Sequence, residues 1–314
     1  MNFAEEYQKF LRYLEVLSSS ENAKVVEDYA IILNPNAEGQ VDLALVGLIH
    51  GNEVIGISIF NQILEDFLTG KLSLEISLCL LLGNIPAAKQ NKRFIDQDLN
   101  RSFETNNHET VEDCIAKRME VILSQCRYVI DFHQTQSPTP TPFYIYELRS
   151  RQQYIFSKLS APSVPLILFT ETFSSNGKCQ EDFVLNRGNI DVTIELGLKG
   201  FDPKQRDLGY EISLNAIKAV TTKLKENILF TPSQIYTWGF IGIFRRPFIL
   251  QPGFKNWDVI YQKQSIGQLG NEDFKAPVEG RIVFPKYDAS GLNGQENFRI
   301  IVPTTKFDRL LKLY

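Results

Sequence analysis

The chain contains three histidines, His50, His108 and His133, and two of them stand where a strand-like run gives way to polar residues. His50 opens the tetrapeptide HGNE, which sets Glu53 three positions further on. On a helix, residues i and i+3 lie one above the other, so an imidazole and a carboxylate at this spacing reach the same ion. A second imidazole from elsewhere makes a three-ligand zinc site whose fourth position stays open for water, as catalysis requires. His133, in DFHQT, is the candidate for that imidazole, and Asp131 two residues earlier can orient a neighbouring group. Glu195, in TIELG, stands at the end of an apolar run. A carboxylate is costly to bury there unless it is ionised beside a cation or works as a base. The stretch NKRFIDQDLNRSF adds Arg93, Asn100 and Arg101. Arg93 can stabilise a developing oxyanion, while Asn100 and Arg101 can clamp a carboxylate. Each motif alone has a plainer reading. HxxE recurs by chance, a strand-end histidine is usually just hydrogen-bonded, and a stretch rich in Arg and Asp is usually a solvated face. His108, among Asn and Thr at the start of a helical pattern, reads as an exposed helix-terminal residue and serves as a control.

Alternating elements must bring these residues together. VDLALVGLIH and SLEISLCLLLG are nearly continuous apolar runs of strand length, which suit a sheet covered on both faces. Between them, Ile55, Ile59, Phe60, Ile63, Leu64 and Phe67 form a helical stripe that Gly70 can stop. Residues 84–104 are polar and read as a long loop of the functional kind. A helix is expected over 109–124, then strands at RYVIDFHQT, FYIYE, VPLILFT and DVTIELG, and a closing helix at SLNAIKAVTTKLKENIL. Asn2 and Glu5 can form a capping box on a first helix. The order predicts an α/β fold with a mixed central sheet flanked by helices over 1–230. From Thr231 the texture changes to short β-rich runs separated by Gly, Asn and Pro, which predicts a small all-β domain over 231–314. Its GQLG and APVEG segments look like the turn of a lipoyl or biotinyl carrier, but no lysine pattern supports that role, and a structural β-domain is expected.

Composition narrows the partners. Of 314 residues, 43% are hydrophobic and 22% charged, which excludes a disordered or collagen-like chain. The charge sum is 33 − 37 = −4, without the basic excess of a nucleic-acid binder. The N-terminal MNFAEEYQKF lacks the basic start and apolar stretch of a secretory signal, and no apolar run approaches the ~20 residues that span a bilayer. Cys79, Cys114, Cys126 and Cys179 show no CxxC spacing and read as reduced core residues of a cytoplasmic protein. GxSxG, GxxxxGK[ST], GxGxxG and HExxH are all missing, so a serine hydrolase, a nucleotide enzyme and an ordinary zincin find no support.

Taken together, HGNE, DLNR, DFH and IELG resemble, in kind and order, the zinc-carboxypeptidase-like amidohydrolases of the succinylglutamate desuccinylase/aspartoacylase family. The resemblance covers most of residues 41–200 and extends to a β-rich tail like the family's C-terminal domain. It implies that His50, Glu53 and His133 are ligands to one zinc ion and Glu195 the catalytic carboxylate. By the same resemblance, Arg93 polarises the scissile carbonyl, and Asn100 with Arg101 holds a substrate carboxylate. The implied reaction is hydrolysis of the amide of a small N-acyl amino acid, of N-succinylglutamate or N-acetylaspartate type. Water attacks with Glu195 as general base. A metallocarboxypeptidase acting on a peptide C-terminus shares the same site chemistry, and a non-catalytic binding module on this fold is a further alternative. Arg187, Lys199 and Tyr287 are basic or phenolic neighbours for which surface positions are expected.

Overall fold

A computed structural model of the chain describes residues 2–105, 109–170, 178–224, 234–287, 296–308 and 311. The first half runs α1 (Phe3–Leu17), β1 (Ala23–Val26), β2 (Ala30–Leu33), β3 (Val41–Gly47), α2 (Ile55–Leu68), β4 (Leu78–Leu82), α3 (Ile85–Lys89) and α4 (Val111–Leu123). It continues with β5 (Cys126–Thr135), β6 (Phe143–Glu147), α5 (Arg151–Ser160), β7 (Leu166–Phe169), α6 (Gln180–Leu185), β8 (Ile190–Leu198) and α7 (Pro203–Thr221). The remainder is β9 (Ile235–Ile243), β10 (Phe248–Leu250), β11 (Val259–Ile260), β12 (Ser265–Leu269), β13 (Glu272–Lys275), β14 (Gly280–Val283) and β15 (Glu296–Pro303).

The strand order among the described residues is β1-β2-β4-β3-β5-β8-β6-β7-β9-β15-β14-β11, with a separate small sheet β10-β12-β13. Its centre is parallel: β3 pairs with β4 and β5, and β5 pairs with β8. These are the continuous apolar runs, and β3 and β4 are buried almost throughout, as a sheet covered on both faces demands. Helices α1, α2, α7 and α5 pack successively against one another. On α2 the buried side chains are Ile55, Ile57, Ile59, Phe60, Ile63 and Leu64, each contributing ~1.5–3 kcal/mol by burial. The Asn2–Glu5 capping box on α1 is present. The fold is therefore the expected mixed α/β sheet flanked by helices, with a β-rich C-terminal part. No helix among the described residues is long and apolar enough to cross a membrane.

The expected division at 230/231 falls within 225–233, outside the described residues. On its far side, β9 pairs in parallel with β7, so the central sheet runs on through β9, β15 and β14. The C-terminal strands also have an apolar cluster of their own, built on Phe248, Ile260, Ile266, Phe298 and Ile300. The β12–β13 hairpin turns at Gly270 and Asn271, so no lysine stands at its tip. Cys79 and Cys126 are buried as expected, but Cys114 is exposed. The buried positions of α4 are Ile115, Ala116, Met119, Ile122 and Leu123, among others, and Cys114 faces away from that set.

Residues 84–104 are more ordered than a loop. Asn84 caps the short helix α3 through its Oδ1, and 99–101 form a 3-10 turn. One carboxylate organises the intervening chain: fully buried Glu112 accepts from the backbone N–H groups of Ile95, Asp96 and Gln97 at 2.7, 3.1 and 3.2 Å. It also accepts from Asn84 Nδ2 at 2.8 Å. Glu112→Ala would strand all four donors, so it should cost about 3 kcal/mol of stability in urea unfolding. Glu112→Gln, which keeps an acceptor oxygen, should cost about half of that.

Candidate functional site

The site lies at the carboxyl ends of the parallel strands, the usual position for ligands in such sheets. After β3 the chain turns sharply: Leu48 adopts the left-handed φ of 62°, and Glu53 N–H closes a turn onto the His50 carbonyl at 3.0 Å. The expected helix at HGNE begins only at Ile55, so a turn brings His50 and Glu53 together. Gly51 explains the detour. Its N–H donates to the Arg93 carbonyl, and a Cβ there would stand 2.4 Å from Ala88 N, because the turn rests directly on α3. Gln134, next to His133, accepts from Ile55 N–H at the start of α2 and donates its own backbone N–H to Glu53 Oε2.

Strand register supplies the rest. His133 on β5 pairs with Glu195 on β8, and Asp131 with Thr193, so these side chains share one face of the sheet. His50, Glu53 and His133 are 5%, 3% and 4% exposed, and their ligand atoms all lie within 4.8 Å of one another. Glu53 Oε1 is 2.8 Å from His50 Nδ1, and Glu53 Oε2 is 2.8 Å from His133 Nδ1. His50 Nδ1 nevertheless makes no aligned hydrogen bond. Two buried imidazole nitrogens converging on one carboxylate fit a common cation, and two nitrogens with one oxygen is a donor set that zinc accepts. The outer atoms are held as well. His133 Nε2 lies 2.7 Å from Asp131 Oδ2, and His50 Nε2 3.3 Å from Asp98 Oδ1. Such carboxylates can orient each ring, with Nδ1 turned towards Glu53.

Electrostatics agree with the geometry. Burial would raise the Glu53 carboxyl, yet the His50 and His133 imidazoles hold it well below the usual carboxylate range. Burial would lower His133, but Asp131 and Glu53 push it well above an ordinary histidine. Asp98 is likewise held down, against its burial, by His50, Arg93 and Arg101. Glu195 departs the other way: burial and then the Glu53 charge raise it to about 8, and its Oε2 has no partner.

Arg93, Asn100 and Arg101 border the same cavity of about 710 Å³ as the two histidines and Glu195. The Arg93 guanidinium bridges Glu53 Oε1 at 3.2 Å and Asp98 Oδ2 at 3.1 Å, and its Nη2 lies 2.6 Å from His50 Nε2. Asn100 takes its place from the Asp98 cap on its N–H, and Arg101 Nη1 donates to the Asn100 carbonyl. Arg187 pairs with Glu104, and the Tyr287 hydroxyl donates to the Phe254 carbonyl, away from the cavity lining. Lys199 does not line the cavity either, and His108 lies outside the described residues. Sequence reasoning passed over Asp98, although it stands in DLNR, and Gln134, although it adjoins His133. It also passed over Glu181, Asn256 and Lys286, which line the cavity without any local motif.

Asp191 lies deeper on β8. Burial and the nearby Asp131 charge raise it well above the carboxylate range, and Oδ1 has no partner. The unfolded chain ionises this group from about pH 4, whereas the folded chain retains its proton. Stability therefore falls as pH rises above 4 towards the folded value. Asp191→Asn should raise the melting temperature of metal-free protein at pH 8 by a few degrees and flatten its decline from pH 5. Glu181 shares the direction of shift, so the slope should shrink without vanishing.

Fold and site together define a mixed α/β protein whose strand ends form a histidine–glutamate–histidine centre able to hold a metal ion. Residues 40–220 match the model of the succinylglutamate desuccinylase/aspartoacylase catalytic domain. The chain belongs to that family of hydrolases. It is 32% identical over 112 residues to a succinylglutamate desuccinylase of Yersinia enterocolitica, covering 34% of this chain and 33% of that protein. The matched segment thus spans about a third of that curated relative's length. The solved succinylglutamate desuccinylase of Vibrio parahaemolyticus superposes with a TM-score of 0.71 at 16% identity, covering 92% of this chain and 94% of that one. Murine aminoacylase 3 superposes at 0.61 with 18% identity, over 83% and 96%. At these identities the superpositions speak for the fold.

Proposed function

We propose that the protein is a zinc-dependent hydrolase of the amide bond in small N-acyl amino acids, of N-succinylglutamate or N-acetylaspartate type. The observation that carries this reading is the convergence of His50, Glu53 and His133 beside Glu195, whose Oε2 has no partner. His50 and His133 through Nδ1, with Glu53, would hold one zinc ion. That ion, when bound, supplies Lewis acidity and brings the pKa of water towards ~7. Glu195 accepts the proton of the attacking water and returns it to the leaving amine. Arg93 balances charge developing on the carbonyl oxygen; such a donor is typically worth ~3 kcal/mol of barrier. Asn100 and Arg101 hold the carboxylate of the amino-acid portion. The small-molecule reading is favoured by Asn256, Phe284, Pro285 and Lys286, through which the C-terminal part walls the cavity.

Purified zinc-loaded protein should release free amino acid from N-succinylglutamate or N-acetylaspartate and leave a longer unmodified peptide intact. Turnover of the peptide alone would reject this substrate class in favour of a carboxypeptidase. Turnover of none of the three, with metal bound, would favour a binding module.

A further inference from the structure

Gln134 follows the candidate ligand His133 on β5, and the alternation of the strand turns its side chain to the other face, towards α2 and α7. The residue is 2% exposed, and both polar atoms of its amide are engaged. Oε1 accepts from the N–H of Ile55, two residues beyond Glu53, at 3.2 Å and from the N–H of Gly200 at 3.3 Å. Nε2 donates to Gln205 Oε1 at 2.6 Å and to the Gly200 and Leu198 carbonyls at 2.8 and 3.1 Å. The backbone N–H of the same residue donates to Glu53 Oε2 at 3.1 Å. A single residue thus ties together the ligand turn, the exit of β8 and the first turn of α7.

Those partners lie where β8 leaves its regular pairing. His133 pairs with Glu195, but the next pair is Thr135 with Leu198, so three steps on β8 answer two on β5. The extra residue is a bulge, a feature rare between parallel strands and frequent beside active sites, where it re-aims a side chain. Here it begins immediately after Glu195. Gly197, inside it, has a φ of 154°, and its carbonyl accepts from Thr135 Oγ1 at 3.0 Å. A Cβ at Gly197 would stand 2.6 Å from Gln205 Nε2, because the Gln205 side chain lies against the bulge. Gln205 Nε2 also donates to the Leu198 carbonyl at 3.0 Å. The two glutamine side chains therefore supply hydrogen bonds that the interrupted ladder cannot.

We propose that Gln134, braced by Gln205, is a positioning residue that fixes Glu53 and Glu195 relative to each other. One end of its amide sets the ligand turn, and the other sets the bulge that aims the Glu195 carboxylate. Both glutamines act through the two glutamates and not on the substrate. This rests on the hydrolase reading and adds the device that keeps base and ion at a working separation. Misplacement of a reacting group by about 1 Å costs on the order of 10²-fold in rate.

The test compares wild type, Gln134→Met and Gln205→Met, the last also in a Glu195→Gln background. Methionine keeps the length of the side chain and removes its hydrogen bonds. Zinc affinity, measured by chelator competition, is a readout independent of turnover. Gln134→Met should bind zinc about 10- to 100-fold more weakly, the range seen when the support of a ligand is removed. Gln205→Met leaves Ile55 N–H its acceptor, so zinc affinity should stay within about threefold of wild type. Its kcat should nevertheless fall at least about tenfold with KM unchanged. In the Glu195→Gln background the same change should cost less than about twofold, because the group it aims is already disabled. An equal factor lost in both backgrounds would mark Gln205 as structural alone and overturn the assignment, as would wild-type zinc affinity in Gln134→Met. Should Gln134→Met fail to fold, the two backgrounds of Gln205→Met decide by themselves. A wild type that binds zinc but hydrolyses no N-acyl amino acid would discard the hydrolase reading, and the zinc comparison would then decide for Gln134.

Discussion

His133→Ala should leave the protein with less than about a tenth of an equivalent of zinc and reduce kcat/KM by at least ~10³-fold, roughly 4 kcal/mol of barrier. The size of the effect follows from how many groups meet at one ring. His133 Nδ1 lies 2.8 Å from Glu53 Oε2, and Nε2 lies 2.7 Å from Asp131 Oδ2. Removing the ring deletes one ligand and abandons two buried carboxylates that it had compensated. Stranding a buried charge typically costs ~3–5 kcal/mol, so the metal-free variant should also unfold earlier in urea. His108→Ala is the control and should keep metal and activity. Elemental analysis of both variants decides the matter. Stoichiometric zinc in His133→Ala, or equal losses in the two, would contradict the ligand set.

Glu195→Gln should behave differently, keeping the metal while kcat falls ~10²- to 10⁴-fold with little change in KM. The amide has the carboxylate's size but cannot take a proton. The acid shift supplies a second readout. Without an ion, Glu195 titrates near 8 because burial and the Glu53 charge disfavour its ionised form. A cation beside Glu53 offsets that repulsion, so the loaded enzyme should gain activity through a pH midpoint below 8, and Glu195→Gln should lose this limb. In metal-free protein the linkage has the opposite sense for stability. A buried carboxyl raised above its unfolded value stabilises the fold at low pH, and that contribution is lost as pH climbs towards 8. Glu195→Gln should therefore flatten part of the decline in melting temperature between pH 5 and 8. A variant that lost zinc along with activity would mark Glu195 as a ligand instead.

How much of this could be read from the primary structure depends on whether the signal was local. Continuous apolar runs announced β3 and β4 because parallel strands covered on both faces have no polar side to display. Glu195 stood out as a charge at the end of an apolar run, where burial makes an acid expensive unless something answers it, and Asp131 by standing two residues before His133. The 84–104 stretch read as an open loop because its organiser, Glu112, belongs to a helix that begins after it, and three backbone donors leave no trace in side-chain pattern. HGNE suggested the right juxtaposition on the wrong scaffold. Helical spacing and a tight turn both bring residues three apart into contact, and only the left-handed Leu48 and the seat of Gly51 on α3 select the turn. In FPKY the phenol drew attention, yet it is the neighbouring lysine that borders the cavity.

The amino-acid order was sufficient for the central strands, the longer helices, the α/β class and the two histidines and carboxylates that stand in local motifs, because period, polarity and residue type act over a few positions. Distances belong to the folded chain. The pairing of His133 with Glu195 depends on the register between two strands far apart in sequence, and Phe284 and Pro285 border the same cavity because Asn256 and Ser137 fasten one end of the protein to the other. Those contacts are set by long-range packing and hydrogen bonding, which no short stretch of sequence encodes.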